Sequence, residues 1–170
     1  MLEILTAGGV YLLDQRLKEQ AEEAGPKSKG RALAGGRAVL RCCHNPGCIC
    51  GSIQIGKEAC EGLSAISLGV VLGEYARQAL AGGSFAGRVG LSMVLGGGLS
   101  NYMDWHTKGF VTDYIRFPSK DPRLDRLVFN LADFAIMGGA ALWAVSAIFT
   151  GGKGQGEKTR KKRTKKRPKE

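Results

Sequence analysis

Two aspartates stand where aspartates are costly. Asp133 falls inside Leu127 to Thr150, LVFNLADFAIMGGAALWAVSAIFT, a run of 24 residues in which it is the one ionisable group. Six residues into a helix is roughly 9 Å below its start. A carboxylate at that depth in an apolar segment is functional by default. Asn130 precedes it at i, i+3 spacing and shares its face. Asp113 lies upstream, in Gly109-Phe110-Val111-Thr112-Asp113-Tyr114-Ile115, on a connection long enough to fold back over the head of that helix. Two carboxylates in one site cannot both ionise, so they share a proton. The ionised one can deprotonate water while its protonated partner polarises a peptide carbonyl, which is hydrolysis without metal or cofactor. Spacing alone equally allows an ion pair for one aspartate and a helix cap for the other.

The elements that must position this pair are apolar. Mean hydropathy is −0.10, but that value averages an apolar stretch over 62–150 with a charged tail. About 20 apolar residues cross a bilayer core, and Leu127 to Thr150 meets that length. Val89 to Met103, with Gly96, Gly97 and Gly98, is a second span in which small residues let helices approach closely. Gly62 to Gly73 is a third. Leu2 to Leu13 is a fourth, short for a roughly 30 Å core unless the bilayer thins or flanking side chains snorkel; a start further upstream would produce the same shortness. The N-terminus has no basic region before its apolar run, so no cleavable signal peptide is expected. The fold class expected is an all-α integral membrane protein. It has four transmembrane helices and a small extracytoplasmic β-rich element, with Ser52 to Ile55 as a strand. The membrane domain covers 1–152, and 153–170 is a disordered basic tail.

Charge fixes the orientation. The net charge is +10, and Lys153 to Glu170 holds ten Lys/Arg against two Glu, or +8 of it. Basicity gathered in one terminal run beside an apolar helix reads as a cytoplasmic anchor rather than a nucleic-acid face. Both termini are then cytoplasmic. Arg77 and Arg88 flank a cytoplasmic link, and 19–61 and 104–126 face outward. Cysteines 42, 43, 48, 50 and 60 are odd in number, which excludes a complete internal disulfide set. Cys42-Cys43-His44 followed by Cys48 and Cys50 has zinc-type ligands but no C-x2-C knuckle. Adjacent cysteines chelate poorly, so no metal is expected.

The strings GGGLSNYMDWHTKGFVTDYI and FNLADFAI resemble the catalytic motifs of the signal peptidase II family. Those motifs read roughly G-x-x-x-N-x-x-D-R, then G-x-V-x-D-[FY]-I, then F-N-x-A-D-x-x-I. Asp14 and Lys18 in LLDQRLK match that family's D-x-x-x-K, and Asn45 and Gly47 in HNPG match its N-x-G. The boxes keep their order and spacing along the whole chain. The resemblance implies an aspartyl endopeptidase that removes signal peptides from lipid-modified prolipoproteins, cutting before the diacylglyceryl cysteine. Asp113 and Asp133 would be catalytic. Asn45, Gly47, Asn101 and Asn130 would bind or orient substrate, and Asp14, Lys18 and Asp104 would support the site. No cofactor is implied. Partners would be lipidated precursors and membrane lipid, not nucleic acid. The chain would be a monomer of the bacterial inner membrane with its site at the outer face. Two positions depart from the pattern. Trp105 replaces the motif Arg, a loss that His106, Lys108 or Arg116 would have to offset, and Ile49 stands where the family prefers a small residue. Restoring Arg at 105 is expected to leave the fold intact and to strengthen the hold on peptide. The rival reading is a membrane scaffold or lipid-interacting protein whose tail binds anionic lipid. A small transporter with Asp133 as a proton relay lacks the interrupted helix pairs it would need.

Overall fold

The computed structural model describes residues 1–26, 30–46 and 56–164, with side chains described as far as residue 149. Gly47, Ile49 and the strand expected at 52–55 lie outside the described residues. The fold is mostly helical with one small antiparallel sheet. Its long helices are α1 (Leu2–Ala24), α2 (Lys57–Leu80), α3 (Phe85–Lys108) and α5 (Leu131–Thr164); α4 (Pro122–Asp125) is a single turn. The strands β1 (Arg31–Leu33), β2 (Ala38–Asn45), β3 (Val111–Arg116) and β4 (Val128–Phe129) form the sheet in that order.

Each long helix exceeds the apolar run that announced it, because polar residues at its ends continue the backbone pattern. α5 is long, running to Thr164. α5 starts later than its apolar run, since Val128 and Phe129 pair with β3 and the helix opens only at Leu131. Asp133 is therefore in its first turn, not six residues down.

α3 is the central helix and packs on α1, α2 and α5. Its glycine run makes this possible. A β-carbon on Gly96 would strike the Ala7 carbonyl of α1, and one on Gly97 would lie 2.6 Å from the Ala132 carbonyl of α5. A β-carbon on Gly98 would lie 3.0 Å from the Leu68 side chain of α2. Further along, Gly90 and Gly139 bring α3 and α5 into backbone contact. Ser84 caps the start of α3 by accepting from the Gly87 amide at 3.2 Å. Gly109, at φ 80°, ends it in the left-handed region and turns the chain into β3.

The burial pattern is inverted relative to a soluble protein. Asp14, Lys18, Ser100, Asp104, Thr112 and Asn130 are fully or almost fully buried. Large apolar side chains such as Ile4, Leu5, Leu12, Ile66, Val70, Val145 and Phe149 face outward. Among the described residues one helix is long and apolar enough to cross a membrane by length and composition, Leu131–Phe149 with mean hydropathy 1.7.

Candidate active site

Strand alternation aims the side chains of the sheet. Val111 and Asp113 of β3 face a cavity of about 510 Å³, while Thr112 and Tyr114 face α1. Cys43 of β2 sits opposite Asp113 in register, and Asn45 opposite Val111. Asp133, Asn101, Trp105, Phe129 and apolar residues of α2 complete the cavity wall.

Both aspartates thus line one cavity, and amides stitch them together. The Asn45 amide donates to Asp113 Oδ2 at 3.0 Å, and the Asn130 amide donates to Asp113 Oδ1 at 2.8 Å and to Asn101 Oδ1 at 3.1 Å. Asn101 in turn donates to Asp133 Oδ1 at 3.1 Å. Asn130 and Asp133 cap the helix reciprocally. The Asp133 amide donates to Asn130 Oδ1 at 2.9 Å, and the Asn130 amide to Asp133 Oδ2 at 3.1 Å. This is a capping box in which Asn and Asp hold the two roles. Its N-x-x-D signature was legible in the sequence. Burial, reinforced by the neighbouring Asp133 charge, pushes the Asp113 carboxyl up to about 7, against the pull of Asn45, Lys18 and Asn130.

A second buried layer holds this one in place. Lys18 Nζ bonds Asp14 at 2.9 Å, Asp104 at 2.9 Å and Asn101 Oδ1 at 2.8 Å. Asp14 accepts from the Ser100 hydroxyl at 2.6 Å, the Tyr114 hydroxyl at 2.9 Å and the Ala132 amide at 3.1 Å. The Leu131 amide donates to the Tyr114 oxygen at 3.0 Å. The free amides at the head of α5 are therefore met by Asp14, Tyr114 and Asn130, with Asp14 also placing negative charge at the helix N-terminus. Asp104 accepts from the Thr112 amide at 3.1 Å and pairs with Lys108 at 2.9 Å, anchoring β3 to α3.

Asp14, Lys18, Asp104, Asn45, Asn101 and Asn130 thus form one network with the two aspartates. Sequence reasoning missed Ser100 and Tyr114. Tyr114 could have been suspected from its place beside Asp113, whereas nothing in the spacing marks Ser100.

Trp105 takes no part in this network. It is buried against Cys60 and Val111. None of the three cations that might replace the motif Arg lines the cavity: His106 pairs with Glu61, Lys108 with Asp104, and Arg116 with Asp125. Trp105 packs in the core and also forms part of the cavity wall beside the two aspartates, so arginine there loses aromatic packing while its guanidinium can turn to the carboxylates. Trp105→Arg should lower stability by about 3 kcal/mol through the lost packing. Thermal melts in detergent would show it, and an unchanged melting temperature would refute it.

A family model described as signal peptidase (SPase) II matches residues 6–149. The lipoprotein signal peptidase of Methylocella silvestris is 40% identical over 39% of this chain and 42% of its own length. That of Coxiella burnetii is 40% identical over 36% of this chain and 37% of its own. The chain thus spans about two fifths of the curated relatives it matches. A bacterial membrane enzyme solved by the in meso method at 2.3 Å superposes with TM-score 0.71 at 20% identity, covering 99% of this chain and 93% of that one. Another, solved at 1.9 Å, gives TM-score 0.67 at 21% identity over 85% and 91%. At these identities the likeness is one of fold.

Proposed function

This chain belongs to the signal peptidase II family, and we propose that it is a bacterial membrane aspartyl endopeptidase that cleaves lipid-modified prolipoproteins before the diacylglyceryl cysteine. The observation that carries the reading is the pair Asp113 and Asp133 on one cavity wall, joined through Asn130 and Asn101. A substrate backbone enters the cavity between the sheet and α2. The pair shares one proton. One carboxylate, ionised, takes a proton from water as the oxygen attacks the scissile carbonyl carbon. The other, protonated, donates to the carbonyl oxygen, and the collapse of the tetrahedral species returns a proton to the leaving amine. Asp113, poised near neutrality, is assigned the proton-holding role. The apolar wall of Leu63, Leu68, Val71, Ile136 and Met137 suits the lipid chain.

Incubation of the purified protein with a diacylated precursor peptide should give one cut, immediately before the lipidated cysteine. An intact peptide would sink the proposal in favour of the scaffold reading. The rate should fall as pH rises through about 7, where Asp113 loses its proton. A rate rising steadily from pH 6 to 9 would remove Asp113 from the proton-holding role. The sign for stability is the same. Folding raises this pKa, so its contribution is present at low pH and lost as pH rises through about 7.

The outward apolar side chains on α1, α2 and α5 support four spans, although α5 alone meets the length-and-hydropathy criterion among the described residues. The basic tail then puts both termini in the cytoplasm and the sheet outside. A reporter fused after Glu170 should stay inaccessible from outside intact cells; labelling from outside would reverse the topology.

A further inference from the structure

The face of the sheet turned away from the aspartates carries a second constellation. Cys42 and His44 alternate with Cys43 on β2, so they point to the opposite side from Asp113, and the end of α1 brings Glu22 to them. His44 Nε2 lies 2.8 Å from Glu22 Oε2, and Cys42 Sγ lies 3.8 Å from the same oxygen. Among the described residues these three alone gather metal-type ligand atoms, all within 4.8 Å of one another. A tetrahedral zinc with ordinary bond lengths would need edges of about 3.3 Å between nitrogen and oxygen and about 3.6 Å between sulfur and oxygen. The first edge would open by about half an ångström and the second would close by about a fifth, while the edge between sulfur and nitrogen, within 4.8 Å here, would have to close to about 3.6 Å.

We propose that Glu22, Cys42 and His44 form a binding site for a divalent transition metal of the zinc class.

The surroundings are those of a held site. Thr112 donates to the other Glu22 oxygen at 2.7 Å and so aims the carboxylate. Phe110 stacks on the His44 ring at a centroid distance of 4.1 Å and fixes its plane. Lys108 stands 4.0 Å from Glu22 and opposes a cation, yet its charge is already engaged by Asp104 at 2.9 Å. The sequence shows Cys42 and His44 as zinc-type ligands but hides Glu22, twenty residues upstream, and the opposite facing of the neighbours Cys42 and Cys43. A bound ion would staple the end of α1 to the sheet that carries Asp113.

The test uses full-length protein in detergent, without a polyhistidine tag, stripped by chelator and titrated with cobalt(II) and then zinc. The expected result is one equivalent bound with a thiolate-to-cobalt charge-transfer band that zinc bleaches, and a higher melting temperature with metal. Cys42→Ser should abolish the band and Cys43→Ser should retain it. Glu22→Gln and His44→Gln should each weaken binding at least about tenfold. Absence of a thiolate band in the unmodified chain overturns the proposal, as does a full band in Cys42→Ser. Should Cys42→Ser fail to fold, undiminished affinity in both Glu22→Gln and His44→Gln overturns it instead.

Discussion

Asp113→Asn and Asp133→Asn should each remove cleavage of a lipidated precursor, by at least about 10³-fold, while leaving the thermal melt near that of the unmodified protein. An amide keeps the shape of the side chain and its acceptor oxygen. At 133 that oxygen can still receive the Asn130 or Asn101 donor, so the head of α5 stays capped. What the amide cannot do is take a proton from water or give one to a carbonyl, a loss worth about 10²–10⁴-fold for a single acid–base group. In the proposed mechanism both carboxylates act in one step, so the double variant should be little worse than either single one. At 113 the amide keeps one of the two acceptors that Asn45 and Asn130 use, and the loss of the other is offset in part by removing a buried charge that its surroundings disfavour. Substantial turnover in Asp133→Asn, or losses that multiply in the double variant, would show that the two do not act as one unit.

Lys18→Met should produce the largest loss of stability of any single substitution on α1. Its ammonium is fully buried and sits between Asp14 and Asp104, at 2.9 Å from each. Truncating one partner of a buried charge set costs about 3–5 kcal/mol, because the remaining charges have no water to turn to. Asp104 keeps Lys108 at 2.9 Å, but Asp14 is left with uncharged donors only. The damage should also reach catalysis. Lys18 fixes the Asn101 oxygen at 2.8 Å, and the Asn101 amide is the donor to Asp133. Thermal unfolding in detergent and precursor cleavage would measure the two effects together. Adding Asp14→Asn to Lys18→Met should recover part of the stability, whereas independent contributions would sum. A Lys18→Met protein that melts with the unmodified chain would mean that water or lipid headgroups reach these carboxylates.

Much of this protein was legible in its residues alone. An apolar run with a lone ionisable group marks both a long helix and a residue that must have a reason to be there, so α5 and Asp133 announce each other. The glycines of 96–98 signalled close helix approach, and the structure directs them at three different helices, which periodicity could not assign. The pattern Asp14-x-x-x-Lys18 matches a supporting role by resemblance, while spacing alone allows a simple i, i+4 pair. That it is buried, and reaches over eighty residues along the chain to Ser100 and Asn101, depends on α1 packing against α3.

The sequence by itself determined the chemistry available: which carboxylates, which amides, and an apolar setting that makes any charge expensive. Helix and strand tendencies are local, so they too could be read without a fold. The tertiary structure decided which of these groups meet. Asp113 and Asp133 share a cavity because Gly109 ends α3 at the point where β3 can lift Asp113 beside the cap of α5. Trp105 became core, and the cations near it became surface pairs. Cys42 and Cys43, neighbours in the chain, were sent to opposite faces of a sheet, Cys43 towards Asp113 and Cys42 towards Glu22. The physical reason is one of range. Torsional preferences act over a few residues, whereas a buried charge must find partners wherever the chain brings them, and only the folded packing fixes where that is.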